Sequence, residues 1–315
     1  QKWTLIVMCL VPTASGLYVG LYQFFQQPDK IVKSLSSVKI VLAEQYLGKA
    51  TGTFADPSSF AAFLLLGITT SLIIALRARL PSLVRLLLFY MSAMLYLSVL
   101  LTQQVWAIAV MLPMALLIGW VTLRAGKGRL KRGLVLSLIA ILLAILASLI
   151  HPRIESSYKS ALDVEAEMLR FSLINETVAV VSDYPVFGYG AGSFQLAYDQ
   201  YADTELKVAP ESPQSDLLTL LIEYGFLGGA LFILPFIFVL YLGFRRWKAE
   251  PFKVKSNDVI GSYMPKTKLS LGLTFSALCV LVLISLLSSV FSVPGLLFLA
   301  VVTFGVFSKL SVVQR

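Results

Sequence analysis

The sequence predicts an all-α, polytopic transmembrane helix bundle, and three observations lead to that fold class. Of the 315 residues, 57% are hydrophobic and 14% are charged, whereas soluble domains carry about 25% charged residues. Apolar runs close to the about 20 residues that a spanning helix needs recur along the whole chain. The strict alternation of apolar and polar residues that is typical of spanning strands is absent from the sequence.

Eight spans follow from those runs, and together they make residues 1–315 a single transmembrane domain. The spans are predicted at residues 3–24, 58–76, 83–101, 105–123, 133–150, 215–244, 269–288 and 290–308. The chain opens with Gln1 rather than Met, and its first span lacks a cleavage-site pattern. We therefore expect that further residues precede it.

The basic residues predict how the bundle is oriented. One alternating set of loops, together with the two chain ends, holds 18 of the 26 lysines and arginines, and the other set holds eight. Basic loops stay on the cytoplasmic side. Both ends of this chain are therefore predicted to be cytoplasmic, and the long loops 25–57 and 151–214 to lie outside. The net charge of +9 then reflects orientation rather than binding to nucleic acid.

The second outer loop, 151–214, holds most of the polar sequence. Apolar residues recur at helical spacing between positions 156 and 183, which predicts an amphipathic helix on or near the outer membrane face. Behind it, Gly188, Gly190 and Gly192 form a G-x-G-x-G run. No βαβ unit surrounds this run, so a dinucleotide site is excluded. The glycines predict a tight turn that approaches another element or a ligand.

Two predicted helix starts lie outside. The second span begins with Asp56 as N-cap and Pro57 as its first residue, and the sixth span begins with Ser212 and Pro213 in the same roles. A helix N-terminus presents free N–H groups and a partial positive charge, which suit a phosphate.

Two cations are predicted on the same side as these helix starts. Lys49 lies seven residues before Asp56, and Arg170 lies in the second outer loop. Lys49 fits either a solvated loop lysine or a phosphate contact. Arg170 fits either contact with lipid phosphate or recognition of a substrate phosphate by its fork of donors. Convergence of both cations and both helix starts on one anion is a hypothesis.

The sixth span also carries polar residues. Gln214, Ser215 and Asp216 occupy its first turn, and Glu223 lies about two turns further in. A carboxylate inside a span indicates either a structural partner or a functional site. Tyr224, Gly225, Gly228 and Gly229, which follow Glu223, indicate a close helix contact or a local break.

Four separated segments resemble, in the same order, motifs of the O-antigen ligase and polymerase superfamily, which are bacterial membrane glycosyltransferases that use lipid-linked glycans. The segments are Lys49-Ala-Thr-Gly-Thr-Phe-Ala-Asp-Pro57 (R-x-x-G-T-F-x-x-P in the family), Thr102-Gln-Gln-Val-Trp106 (S-R-G-x-W), Arg170 with Tyr184-Pro-Val-Phe-Gly-Tyr-Gly-Ala-Gly-Ser-Phe194 (R…P-x-x-G-x-G-x-G-x-F), and Pro213-Gln-Ser-Asp-Leu-Leu-Thr-Leu-Leu-Ile-Glu-Tyr-Gly225 (H-N/S-x-x-L-x-L-L-x-E-x-G). The ordered set spans most of the chain.

The resemblance implies an active site at the periplasmic or outer face of the bacterial inner membrane. In the family, arginines hold the diphosphate of an undecaprenyl-linked donor, and a histidine at the start of the later helix assists transfer. Arg170 matches one phosphate-binding arginine, and Lys49 stands at the other. The implied partners are this donor, a glycan or lipid acceptor, and membrane lipid. No metal or other cofactor is expected, and two distant cysteines with one histidine offer no metal site.

Two positions depart from the family pattern. Gln214 stands where the histidine is expected, and Gln103 stands where the S-R-G-x-W arginine is expected. Glutamine is not a general base, and a missing base removes about 10²–10⁴ in rate. Gln214 and Asp216 are therefore assigned to orienting the acceptor or the phosphate. The sequence predicts transfer or polymerisation of a lipid-linked oligosaccharide; a transporter of that lipid and a catalytically degenerate subunit of a polysaccharide assembly are alternatives.

Overall fold

The computed structural model of the chain describes residues 49–52, 56–77, 82–124, 164–200, 215–249 and 266–288, with short stretches and single positions elsewhere. Its helices are α1 (Pro57–Arg77), α2 (Ser82–Leu101), α3 (Val105–Arg124), α4 (Val164–Asp183), α5 (Phe194–Tyr198), α6 (Asp216–Ala249) and α7 (Lys266–Leu287). Two antiparallel hairpins pair β1 (Ile31–Lys33) with β2 (Lys39–Val41), and β3 (Lys253–Val254) with β4 (Ser262–Tyr263). The architecture is helical, as predicted, and the short strands lie before α1 and between α6 and α7.

The helices confirm part of the predicted bundle. The spans predicted at 58–76, 83–101, 105–123, 215–244 and 269–288 coincide with α1, α2, α3, α6 and α7. By length and composition, two of the described helices suffice to cross a membrane, namely Leu83–Leu101 with a mean hydropathy of 1.9 and Asp216–Ala249 with 2.3. The spans predicted at 3–24, 133–150 and 290–308 lie largely outside the described residues. The count of eight therefore stays a prediction.

Helix α1 begins where the sequence predicts. The Oδ1 atom of Asp56 accepts a hydrogen bond from the backbone N–H of Ser59 over 2.7 Å. Ser59 is the third residue of the helix, so Asp56 is the N-cap. Pro57 fills the first helical position, where its missing N–H leaves no helical hydrogen bond unmade. Local sequence alone is enough to define this helix start.

Helices α1, α2, α3 and α7 enclose the larger hydrophobic core. Helix α1 packs most extensively on α2, and α7 lies against α1, α3 and α6. The buried residues of this core include Phe60, Leu64, Leu65, Ile68, Leu95, Tyr96, Met114 and Ile284. Within it, the buried hydroxyl oxygens of Ser71 on α1 and Ser92 on α2 lie 2.8 Å apart. A hydrogen bond between small polar residues allows two apolar helices to approach closely.

Helix α6 begins within one residue of the predicted span 215–244, but later than the predicted N-cap at Ser212 and first helical residue at Pro213. Helix α6 begins at Asp216 rather than at Pro213, because the carbonyl of Ser215 accepts the first helical hydrogen bond, from the N–H of Thr219 over 3.0 Å. The predicted N-cap, Ser212, lies outside the described residues, as does Pro213. The prediction that the helix starts at the proline was therefore wrong by about one turn.

The helix predicted at 156–183 is present as α4, and residues 151–163 lie outside the described part of the chain. Helix α4 packs on α6 and on the short helix α5. Its residues Val180 and Val181 are buried in that contact. One side of α4 is therefore attached to protein, and its position on the membrane surface stays a prediction.

Replacing Asp56 by alanine removes the acceptor at the start of α1. We expect the free energy of unfolding to fall by about 0.5–2 kcal/mol. Asp56→Asn keeps an oxygen that can accept the same hydrogen bond, and it is expected to lose much less stability. Unfolding of the detergent-solubilised variants, followed by circular dichroism, measures the difference. Equal stability of Asp56→Ala and the wild type would contradict this cap.

Candidate functional site

The segment that begins at Lys49 lies against the hinge between α2 and α3. The backbone N–H of Ala50 donates to the carbonyl of Leu101, the last residue of α2, over 3.1 Å. Ala50, Thr51 and Thr102 are completely buried at this contact. Two motif segments that are distant in sequence, 49–57 and 102–106, therefore form one structural unit.

Close packing on α1 holds the Lys49 segment in place. A Cβ atom at Gly52 would lie 2.4 Å from the ring of Phe60, which is closer than a carbon contact allows. Phe60 is completely buried, and the ring of Phe54 packs beside it with centroids 6.0 Å apart. A residue with a side chain at position 52 would push the segment away from α1.

Lys49 is half-buried at this site. Burial lowers the pKa of its ammonium group below the ordinary value of 10.5, because desolvation disfavours the charged form. Water screens such a charge less than it screens an exposed one, so a nearby anion is attracted more strongly. A weakly screened charge of this kind is compatible with the phosphate contact predicted for Lys49.

The hinge between α2 and α3 is a tight turn. Gln103 has φ 55°, in the left-handed region that side chains other than glycine rarely adopt. The carbonyl of Gln104 accepts hydrogen bonds from Ala107 and Ile108 and so begins α3. Position 103 therefore lies at a chain reversal, at the same end of the bundle as Lys49.

A second group of motif residues surrounds a break in α6. Gly225 has φ 63° and ψ −172°, a conformation that essentially only glycine adopts. The break divides α6 into two helical segments, 216–224 and 226–249. A helix end leaves carbonyl groups unpaired on one side of such a break and N–H groups unpaired on the other.

The loop at 185–190 pairs groups on both sides of the break. Two loop N–H groups donate to the first segment, Tyr189 to the Ile222 carbonyl over 2.8 Å and Gly190 to the Glu223 carbonyl over 2.9 Å. Two N–H groups of the second segment donate to the loop, Phe226 to the Pro185 carbonyl over 2.7 Å and Leu227 to the Val186 carbonyl over 3.1 Å. We call these four hydrogen bonds, between residues 185–190 and 222–227, the loop–helix clasp.

Two glycines make this close approach possible. A Cβ atom at Gly188 would lie 2.5 Å from a backbone carbonyl oxygen of α6, and one at Gly225 would lie 2.4 Å from a carbonyl oxygen of the loop. The glycine of each motif therefore contacts the backbone of the other motif. Gly190 and Gly192 also have positive φ, yet a Cβ atom at either position has no described neighbour within 4 Å.

A small hydrophobic core attaches the clasp to α4 and α5. Its buried residues are Val180, Val181, Phe194, Ala197, Tyr198 and Ile222. The hydroxyl of Tyr198 donates to a carboxylate oxygen of Glu176 on α4. Burial, and then this hydrogen bond and the charge of Glu176, raise the pKa of the Tyr198 phenol well above its ordinary value. The phenol therefore stays a neutral donor, and α4, α5 and the start of α6 form one folded unit.

Tyr189 is a loop residue that the sequence analysis did not single out. Its ring packs edge-on against Tyr184, with centroids 4.6 Å apart, and no described residue hydrogen-bonds to its buried hydroxyl. Burial, and then electrostatic repulsion from Asp183 and Tyr184, raise the pKa of Tyr189. A neutral phenol therefore lies beside the glycine turn. Its position between two motif glycines is the signal that could have identified it.

The structure describes some of the predicted site residues and not others. Arg170 lies in α4, but its side chain is outside the described set, and Gln214 is outside the described residues altogether. Asp216 is half-buried in the first turn of α6, on the helical segment that carries the clasp. Lys49 is joined to the α2–α3 hinge. Convergence of Arg170 and Lys49 on one anion stays a prediction.

Comparison with known proteins bears directly on this site. Residues 89–233 match the sequence profile of the family described as O-antigen ligase. The matched segment runs from α2 into the second segment of α6, so it includes Gln103, Arg170 and the clasp. No curated protein sequence matches the chain significantly. The resemblance to the O-antigen ligase superfamily is confirmed, and it supports an O-antigen ligase-like function in general, while the two apolar helices fit a membrane protein.

Gly188→Ala is expected to destabilise the outer loop more than Gly192→Ala. The two glycines have nearly the same φ, 69° and 73°, so both substitutions cost about 1–2 kcal/mol for left-handed backbone. The Cβ atom at position 188 additionally meets the α6 backbone at 2.5 Å. Unfolding midpoints and the rate of proteolysis within the loop measure the difference. If both variants lose the same stability, the close approach is not what requires glycine at 188.

Proposed function

We propose, from the O-antigen ligase match at residues 89–233, that this chain transfers or polymerises a lipid-linked oligosaccharide. The reaction takes place at the periplasmic or outer face of the bacterial inner membrane, and both ends of this chain are cytoplasmic. The donor is a glycan on undecaprenyl diphosphate, and the acceptor is a glycan or a lipid. The basic residues that follow α3 and end α6 support this orientation.

The loop–helix clasp is the observation that carries this proposal. It lies within the family-matched segment, and it joins the P-x-x-G-x-G-x-G and E-x-G motifs through backbone hydrogen bonds. A site for group transfer must hold its groups in a fixed geometry before the reaction starts. Four backbone hydrogen bonds and two close-packed glycines supply that rigidity to the outer loop.

The donor diphosphate is bound by Arg170 and Lys49. Arg170 offers a planar fork of N–H donors that fits a phosphate, and half-buried Lys49 supplies a weakly screened charge. The starts of α1 and α6 add free N–H groups and partial positive charge. Lys49 stands where the family motif carries an arginine, so this chain keeps the charge there and loses one bidentate contact.

In the reaction, a hydroxyl oxygen of the acceptor attacks the anomeric carbon of the donor sugar. The bond between that carbon and the diphosphate oxygen breaks, and the diphosphate leaves with the electron pair. Arg170 and Lys49 stabilise the developing negative charge without a metal or other cofactor. Gln214 and Asp216 orient the acceptor or the phosphate. Because Gln214 has no ionisable group, the hydroxyl proton passes to Asp216 or to water.

A catalytically degenerate subunit of a polysaccharide assembly is the second candidate function. Gln214 and Gln103 favour it, because both replace ionisable residues of the family motifs. A transporter of the same lipid is disfavoured. Such a protein needs ionisable residues along a path through the membrane, whereas Glu223 is the one acid that the sequence places well inside a predicted span.

Arg170→Ala is expected to shorten or abolish the surface polymer. Loss of a hydrogen bond to a charged group costs about 1.5–3 kcal/mol, which corresponds to a fall of about ten- to hundredfold in transfer rate. Variants are expressed in a strain that lacks the gene, and the chain length of the surface glycan is measured by gel electrophoresis. Arg153→Ala removes another arginine of the predicted outer loop and is expected to leave the polymer unchanged. Normal polymer with Arg170→Ala would contradict the diphosphate site and favour the degenerate subunit.

Lys49→Arg is expected to extend transfer activity to higher pH. Protonated Lys49 binds the diphosphate, and burial lowers its pKa below 10.5, so activity falls as the pH rises through that lowered pKa. An arginine keeps its charge up to a pH of about 12 and restores the bidentate fork. Transfer of lipid-linked oligosaccharide in proteoliposomes is measured as a function of pH, with Lys207→Arg as a control elsewhere in the outer loops. An alkaline decline at the same pH in both variants would contradict the role of Lys49.

A further inference from the structure

The tip of the clasp loop exposes large apolar side chains. Tyr184 is 58% exposed, Val186 53% and Phe187 74%. A cluster of apolar side chains on a surface marks contact with a membrane or another protein. The surroundings of this tip decide between the two.

The clasp attaches the tip to the second segment of α6, whose own surface is apolar and exposed. Phe226 and Leu227, which donate to the backbone of the tip, are 59% and 51% exposed. Exposed apolar side chains continue along the helix at Leu231, Phe232, Leu234, Ile237, Phe238 and Tyr241. The tip therefore adjoins the exposed surface of a helix that is long and apolar enough to cross a membrane.

The length of α6 indicates where this surface meets the lipid. Its second segment, residues 226–249, extends about 36 Å at about 1.5 Å per residue, whereas the hydrocarbon core is about 30 Å thick. Part of the helix must therefore lie outside the hydrocarbon. Arg245 and Arg246 mark the polar end, and the stretch from Arg245 back to Phe226 covers about 29 Å. When Arg245 lies at one boundary of the hydrocarbon, Phe226 lies at the other.

We propose that the loop tip, residues 184–187, inserts into the outer leaflet beside Phe226 and anchors the outer loop in lipid acyl chains. The tip is fixed to α6 at the depth where the hydrocarbon begins, and its side chains continue the lipid-facing surface. Asp183 and Asp199 are exposed in the same folded unit and stay in water. The anchor does not depend on which reaction the chain catalyses.

The sequence predicted a membrane span at 215–244, whereas this placement moves the first segment of α6 out of the hydrocarbon. Residues 216–224 then lie outside the hydrocarbon, and the break at Gly225 lies at its boundary. Glu223 becomes a boundary carboxylate, which avoids the cost of a charge at membrane depth. The anchor also holds the glycine turn at 188–192 level with lipid headgroups, where the polar part of a lipid-linked substrate lies.

The test measures the depth of the tip in a bilayer. Phe187→Cys is made in a Cys9→Ala, Cys279→Ala background, labelled with an environment-sensitive NBD fluorophore, and reconstituted in phosphatidylcholine–phosphatidylglycerol vesicles. Nitroxide groups on lipid acyl chains quench fluorophores within the leaflet, whereas iodide quenches those in water. We expect several-fold stronger quenching of Phe187→Cys by the acyl-chain nitroxide than by iodide. The control Asp199→Cys is expected to show the reverse.

A second label guards against a folding defect at one position. Val186→Cys, at the neighbouring exposed site, is expected to behave like Phe187→Cys. Iodide quenching of both tip labels to the level of Asp199→Cys would overturn the proposal. A second outcome would also overturn the proposal. If the tip labels are protected from both quenchers, and this protection disappears when the protein is diluted with lipid, the tip contacts a second copy of the chain. Acyl-chain quenching that is unchanged by dilution supports the lipid anchor.

Discussion

Backbone N–H and C=O groups that are buried away from water need hydrogen-bond partners within the protein, because an unpaired buried group costs free energy. At Gly225 helix α6 cannot pair all of its own groups, since φ 63° and ψ −172° interrupt the helix. The loop at 185–190 pairs groups on both sides of the break through four backbone hydrogen bonds. The positions of α4, α5 and the glycine turn all depend on this arrangement, because each is attached to α6 through it or through the small core beside it.

The clasp explains why two distant motifs occur together. Gly188 must be small because α6 passes at 2.5 Å from its Cβ position, and Gly225 must be small because the loop passes at 2.4 Å from its own. Each permits the backbone approach that the other motif requires, so the two motifs act as a single structural feature. The Lys49 segment shows a second pairing of this kind, since Ala50 hydrogen-bonds to the hinge before Gln103.

The proposed chemistry rests on two cations, Lys49 and Arg170, rather than on an acid–base pair. Lys49 is half-buried, so its charge acts at short range with little screening. In the proposed reaction, such a charge stabilises the leaving diphosphate although Gln214 stands where the family pattern has a histidine. The lipid anchor proposed for residues 184–187 would hold the same loop at the membrane surface. A rigid, membrane-level surface of this kind suits a substrate whose reactive bond is tied to a lipid.

The sequence by itself determined that the fold is helical, the positions of five helices and the cap at Asp56, because apolar run length and N-cap chemistry are local properties. Spacing alone also identified the glycine turn and a break or contact at Gly225. The tertiary structure decided what those glycines pack against, that α6 starts at Asp216, and that Tyr198 pairs with Glu176. The glycine packing and the Tyr198–Glu176 pair depend on contacts between segments more than twenty residues apart, whereas the start of α6 rests on a local hydrogen bond from Thr219 to Ser215. Local sequence pattern shows that such partners are needed, but only the folded chain shows which residues supply them.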